Sequence, residues 1–383
     1  MSVTAAQGFR ASGVAAGLKT SGQPDVALVV NDGPAAAAAA VYTSNRCRAH
    51  PVLWSEQVSA DGVVRAVVLN SGGANCYTGP AGFAVTHASA EQVAAAVQVD
   101  AGDVVVCSTG LIGRALDAQR LAAGIADAAA DLSRTGGDAA ARAIMTTDTV
   151  PKQAEVAGDG WVVGGMAKGA GMLAPALATM LVVLTCDADV DAQTCDRALR
   201  AATRVTFDRL DSDGCQSTND TVLLMASGAS GVRPTEAELT AAVTAVCHLL
   251  AQQLVHDAEG AEHDIAVEVR RAGSEDDAVE VARAVARSNL FKAAVFGGDP
   301  NWGRVLAAVG TTSAPFDPQV LDVAINGVWV ARDGAPGADP GGVDLSGRDV
   351  HVVVNLKHGE ATATVWTNDL THAYVHENSA YAT

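Results

Sequence analysis

The sequence is poor in aromatic residues, poor in basic residues, and without a long uninterrupted apolar run. Phe, Tyr and Trp make up 4% of 383 residues, so Ala, Val and Leu must do most of the packing. Twenty-five Lys and Arg face 43 Asp and Glu, a formal charge of −18. That balance argues against nucleic acid as a partner, because such binding is driven by cations that neutralise phosphates. It equally disfavours an anionic membrane surface. No run of about 18 apolar residues occurs, so no membrane-spanning helix is expected. The start, Met1 to Gln7, lacks a basic segment followed by an apolar one, and no secretory signal is expected. The seven cysteines are odd in number, and none forms a C-x-x-C pair. A disulfide framework or zinc knuckle is therefore not expected, and reduced thiols in a cytoplasmic protein are. The phosphate-binding G-x-x-x-x-G-K-[ST] loop and the G-x-S-x-G elbow of serine hydrolases are both missing.

What remains is a chain able to bury a large core, 49% hydrophobic and 18% charged. Helical spacing of apolar residues predicts helices near Gly82–Val97, Leu116–Leu132, Ala192–Ala202, Glu236–Val255 and Asp276–Arg287. Short β-branched runs predict strands at 103–107, 161–165, 180–186, 221–225, 265–269, 323–326, 350–355 and 361–366. The run Ala35–Ala40 is ambiguous between the two. Arg332–Asp344 is dense in Gly and Pro and reads as a surface loop. Long helices mixed with hairpin-like late strands point to a layered α/β fold rather than a regular doubly wound sheet. No repeat or low-complexity linker divides the chain.

The segment with most chemistry in it is Lys168-Gly169-Ala170-Gly171-Met172-Leu173-Ala174-Pro175-Ala176-Leu177-Ala178-Thr179. Its glycines formally fit a dinucleotide fingerprint. Pro175 and a β-branched strand follow too closely for the helix that motif needs. A threonine after a small residue, at the end of a Gly-rich bend, is instead a candidate for self-cleavage. Its hydroxyl can attack the Ala178 carbonyl, and the ester can hydrolyse. Thr179 would then own a free α-amine, with an ordinary pKa near ~8, able to take the hydroxyl proton. A threonine entering a buried strand is also an ordinary structural feature. Ser108-Thr109-Gly110, after the Val104–Val106 run, could supply a hydroxyl and an amide to an oxyanion, or be a plain turn. Read from the residues alone, Lys168 could fold back across the Gly-rich bend to hold a substrate carboxylate or be a solvated lysine, and Glu259 is a surface charge. His372 and His376 are spaced i, i+4 but lack a third ligand, and Asp208, Asp211 and Asp213 miss the calcium-loop spacing, so no metal is expected.

These motifs occur together with Asn70–Asn75, Ser108–Gly113, Met145–Lys152, Ser217–Thr221, Gly298–Arg304 and Tyr374–Thr383. In this order, and over nearly the whole chain, they resemble the ornithine acetyltransferase (glutamate N-acetyltransferase) family of arginine biosynthesis. The resemblance implies a layered α/β sandwich of the self-processing type, cut between Ala178 and Thr179 into intertwined fragments 1–178 and 179–383. It implies Thr179 as nucleophile, the Thr109 hydroxyl and Gly110 N–H as oxyanion donors, and substrate contacts from Thr146, Lys168, Thr179, Glu259, Asn378 and Thr383. It implies transfer of acetyl from N-acetylornithine to glutamate without a cofactor, acetyl-CoA being open as an alternative donor, and an α2β2 assembly. The chain departs from the family at Gly73, at Ala293 and at Glu262-His263, none of them a catalytic position. An N-terminal-nucleophile amidohydrolase or aminopeptidase using the same Thr179, and a metabolite-binding relative without activity, are the alternatives.

Overall fold

The computed structural model describes residues 2–172 and 180–380. Ala178, Thr179 and Thr383 lie outside the described residues. Three sheets organise the chain. The first holds Phe9–Val14, Val26–Asn31, Ala66–Asn70 and Val104–Ser108, in that spatial order, with the last two parallel. The second runs Ala37–Tyr42, Thr221–Ala226, Leu181–Cys186, Val162–Lys168, Lys152–Ala157, with Leu181–Cys186 parallel to Thr221–Ala226.

Strand alternation explains how these two sheets stack. Side chains two residues apart share a face. In the first sheet Ala27, Val29, Val105 and Cys107 point to the interface between the sheets, where Leu181, Val183, Leu223 and Met225 of the second sheet meet them. The alternate residues Val26, Leu28, Val104 and Val106 point outward, under the helices Gly79–Val97 and Ala118–Ala130. On the far side Val182, Leu184, Val222 and Leu224 pack against helices Ala192–Val205 and Glu236–His256. The order is helix, sheet, sheet, helix. The strands Val26–Asn31, Ala66–Asn70, Val104–Ser108, Leu181–Cys186 and Thr221–Ala226 are buried on both faces, so they read as nearly continuous apolar runs rather than alternating ones.

The third sheet has six strands, ordered Ala335–Pro336, Val328–Arg332, Asp322–Ile325, Asp349–Asn355, Asp264–Ala272, Ala361–Asn368. Helices Glu275–Ala286, Asn289–Phe296 and Trp302–Val309 cover it, with a separate core around Val267, Val281, Val352 and Val365. A final helix, His372–Ala380, brings the C-terminal segment back toward Gly260, where a Cβ would sit 2.3 Å from the Tyr374 nitrogen.

The expected helices and strands all appear, with shifted ends. The Ala35–Ala40 run resolves as strand Ala37–Tyr42, pairing with Thr221–Ala226. Alanine favours helix by itself, but Ala38 faces the inter-sheet core and Ala39 the helical side, positions where small side chains fit and tertiary pairing overrides propensity. The helix Glu236–His256 has the length and composition of a membrane span, which counting uninterrupted apolar residues does not reveal. Its Leu239, Val243, Val246, Leu250 and Leu254 are fully buried inside the fold. A complete capping box, Thr235 with Glu238, fixes its start.

Candidate active site

The ends of several strands converge on a cavity of about 350 Å³, inside the usual range for small-molecule sites of ~300–1,000 Å³. Thr109, Gly110, Thr146, Lys168, Glu259 and Asn378 all line it. They come from sequence positions far apart, and the sheets bring them together.

Thr109 and Gly110 follow the strand Val104–Ser108. The Thr109 N–H donates to the Asn70 carbonyl at 2.9 Å, and its own carbonyl accepts from the Gly73 N–H at 3.0 Å. The Ser108 hydroxyl donates to the Asn70 side chain at 2.5 Å. The Asn219 amide donates to the carbonyls of Ala74 at 2.6 Å and Ser108 at 2.8 Å. Gly110 has φ +129°, a region L side chains avoid, and a Cβ there would lie 2.8 Å from the Gly73 nitrogen. The two glycines therefore let the loops after neighbouring parallel strands touch. No hydrogen bond among the described residues uses the Gly110 N–H.

Lys168 ends the strand Val162–Lys168 and pairs in register with Leu181. The connection that carries Ala178 and Thr179 thus leaves and re-enters the sheet at adjacent positions. Of the two readings open to Lys168, solvated or folded back, the structure excludes the solvated one, because the residue is 1% exposed. Its Nζ donates to the Thr146 hydroxyl at 2.7 Å and to the Thr109 hydroxyl at 3.4 Å. Asp148 lies 4.0 Å away. Burial pulls the Lys168 ammonium below its ordinary pKa, and Asp148 opposes that.

Asp148 is itself held from several sides. It accepts from Lys152 Nζ and the Gly169 N–H at 2.7 Å each, and from the Thr146 N–H at 2.9 Å. Burial raises its pKa, but Lys168, Lys152 and the Gly169 amide outweigh burial and hold the carboxyl at about 2. Lys152 also reaches Asp257 at 2.5 Å, and Asp257 accepts from the Thr149 N–H at 3.0 Å and from the Thr149 hydroxyl. This buried chain of charges sets both Thr146 and Lys168. The reading of the sequence misses it, although Asp148 and Lys152 sit inside a motif and are spaced i, i+4.

Glu259 follows the helix Glu236–His256 and is half-buried rather than a surface charge. Its N–H donates to the Ala170 carbonyl at 2.9 Å, and its carboxylate accepts from the Asn378 amide at 3.1 Å. A Cβ on Gly171 would come within 2.7 Å of that carboxylate, so the Gly-rich bend passes directly over it. Lys19 and Arg114 add two further cations to the cavity wall, and neither stands in a motif that marks it. His372 and His376 lie on the helix His372–Ala380, and no group of three metal-ligating side chains occurs among the described residues.

The layered α/β fold thus carries a small cavity at its strand ends that holds hydroxyls, a buried ammonium and a carboxylate, groups complementary to a zwitterionic small molecule. The chain belongs to the ArgJ family, which it matches over residues 10–383. It is 65% identical to the arginine biosynthesis bifunctional protein ArgJ of Streptomyces avermitilis, with all of both chains covered. It is 62% identical to that of Thermobifida fusca, again over the whole of both. Among solved structures it is similar to the ornithine acetyltransferase of Mycobacterium tuberculosis complexed with ornithine. That match has 56% identity and covers 47% of this chain and 96% of that one, with a TM-score of 0.45.

Proposed function

We propose that this chain is an acetyltransferase of arginine biosynthesis, moving acetyl from N-acetylornithine to glutamate through an acetyl ester on Thr179. The observation that carries the reading is the meeting of Thr109, Gly110, Thr146, Lys168, Glu259 and Asn378 on one cavity, at the two ends of the connection that holds Thr179. Family membership supports the same activity.

Each group has a task that its surroundings suit. Lys168, ringed by hydroxyls, faces the substrate α-carboxylate together with Thr146. Glu259 faces the side-chain ammonium of ornithine, and Asn378 fixes that carboxylate. Thr109 accepts a hydrogen bond from Lys168, so its own proton is left to donate to the tetrahedral oxyanion beside the Gly110 N–H. The Thr179 hydroxyl attacks the acetyl carbonyl and its proton passes to the α-amine. The amine returns that proton to the departing ornithine nitrogen as the C–N bond breaks. Glutamate then takes the acetyl by the reverse sequence, so one amide exchange becomes two ester steps. Thr383 belongs to the same proposed substrate contacts.

The reading includes cleavage between Ala178 and Thr179, fragments 1–178 and 179–383 that remain together, an α2β2 assembly, and a cytoplasmic location. The test is a mass spectrum of the purified protein before and after N-acetylornithine. Two fragments are expected, and the 179–383 piece should gain one acetyl group that glutamate removes as N-acetylglutamate. Thr179→Ala should stay uncut and inactive. An intact yet fully active wild-type chain overturns the processing. Discharge equally fast without glutamate makes the protein a hydrolase.

A further inference from the structure

Asp220 takes no part in the scheme above, yet it lies beside its central residue. It is the fourth residue of the Ser217–Thr221 motif and is fully buried. Its Oδ1 accepts the Met180 N–H at 3.0 Å, and the Thr221 N–H donates to the Met180 carbonyl at 3.2 Å. Its Oδ2 is buried and has no hydrogen-bond partner. Met180 N is bonded directly to the carbonyl carbon of Thr179, so Asp220 grips the chain one residue from the hydroxyl that reacts. The residue before it, Asn219, holds the carbonyls of Ala74 and Ser108. One short loop thus fixes the nucleophile's strand against the strand end that presents Thr109 and Gly110.

A buried carboxyl oxygen without a donor is costly and rare in native proteins. Burial pushes the Asp220 carboxyl well above the usual carboxylate range, against the pull of the Met180 N–H, the Ser217 hydroxyl and Lys168. The missing partner is a donor at Oδ2. Cleavage before Thr179 creates one a single residue away from Met180: the new α-amine.

Resting on the acetyl-transfer reading, we propose that Asp220 is a positioning residue for the nucleophile, its Oδ1 holding Met180 and its Oδ2 receiving the α-amine freed on Thr179. In the acylation step the Thr179 Oγ–C bond forms as the hydroxyl proton moves to that amine. The ammonium so formed rests against Asp220 until it gives the proton to the leaving ornithine nitrogen. Asp220 touches neither substrate nor the acetyl group.

Asp220→Asn keeps the volume and the acceptor for Met180 but removes the charge. The processed variant should acylate about 10- to 100-fold more slowly with N-acetylornithine, while KM stays within about twofold of wild type, because no residue lining the cavity changes. A folded variant that fails to cut itself overturns the proposal, since the acceptor for Met180 is kept and the α-amine does not yet exist at that step. Wild-type acylation, or a rate loss matched by an equal rise in KM, overturns it. Should the variant not fold, a crystal structure of the processed wild-type protein decides. Oδ2 within about 3.2 Å of the Thr179 nitrogen sustains the assignment, and a separation beyond about 4 Å removes it. If wild type itself never carries acetyl on Thr179, the acetyl-transfer reading fails. If wild type does and Asp220→Asn matches it, only this inference fails.

Discussion

Lys152 sits between Asp148 and Asp257 where neither it nor Asp148 exposes any side-chain surface. Arg197 meets Glu236 at 2.7 Å across two outer helices, with both side chains nearly half exposed. The distances are alike and the physics is not. In water a pair of this kind contributes about 0–1 kcal/mol, because solvent screens it and two long side chains must be ordered. Inside the protein the charges have already lost their water, and each depends on the others. Removing one partner of such a cluster typically costs about 3–5 kcal/mol, since the remaining charge is left buried and uncompensated. The buried cluster lies beside the cavity and aims Thr146 and Lys168. The Arg197–Glu236 pair joins two outer helices, and neither residue lines the cavity. The buried charge, by contrast, holds in place two residues that line the cavity.

Four measurements break or sharpen that contrast. The largest effect is expected from Asp148→Ala, which strips Lys152 and Lys168 of a common partner and leaves the Gly169 and Thr146 amides unpaired. Denaturant unfolding should show a loss of about 3–5 kcal/mol, together with weaker substrate binding. A loss below about 1 kcal/mol would put the cluster on a level with the surface pairs.

Next comes Thr109→Ala. Its hydroxyl is proposed to bind charge that develops only in the transition state, so turnover should fall by roughly 10²-fold or more, near ~3 kcal/mol of barrier, with a smaller effect on KM. An unchanged turnover number would take Thr109 out of the mechanism.

Acid should then separate the two kinds of carboxylate. The Asp148 pKa is depressed to about 2 in the folded chain, so its contribution is complete above the unfolded value near ~4. It is lost as pH falls from there through about 2, by roughly 2 kcal/mol. Asp211 runs the other way: burial, only partly offset by Arg287, lifts it to about 6. Its contribution is complete below about 4 and is lost as pH rises through about 6. The stability difference between wild type and Asp148→Asn, followed by denaturant unfolding from pH 5 to pH 2, should shrink toward the acid end. A constant difference would mean that Asp148 does not depend on its charge.

The smallest effect belongs to Arg197→Ala. Loss of the Glu236 pair should change stability by about 0–1 kcal/mol, fading further in high salt, with acetyl transfer unaltered. A loss of several kcal/mol would contradict the distinction from the other side.

Parts of this molecule were open to reading before any coordinates. The long helices show a 3.6-residue apolar period, and four of the six strands of the third sheet are short β-branched runs between turn signals; Val328–Arg332 was not anticipated, and Ala335–Pro336 falls in the segment read as a surface loop. Ser108-Thr109-Gly110 and the Gly-rich segment after Lys168 could be singled out from their residues, whereas Thr146, Glu259 and Asn378 were marked as site residues only by the family resemblance. The strands Phe9–Val14, Val26–Asn31, Ala66–Asn70 and Lys152–Ala157 escaped. The first is too mixed to show a period, the next two are buried on both faces, and Lys152 interrupts the last with a charge. Asn219 and Asp257 escaped for a different reason. Each acts on a partner more than 100 positions away, and no local pattern encodes such a distance.

The sequence by itself determined the secondary-structure periods, the acidic balance, and the order of motifs that mark the family. These are properties of neighbours along the chain, where spacing and side-chain type suffice. Only the tertiary structure decided that Lys168 is buried and ion-paired rather than solvated, that Glu259 faces a cavity, and that Ala37–Tyr42 is a strand. It also decided that Asp220 holds the backbone beside Thr179. Burial and partnership are relations between residues far apart in the chain, and the same lysine or aspartate acquires opposite properties according to what folding places beside it.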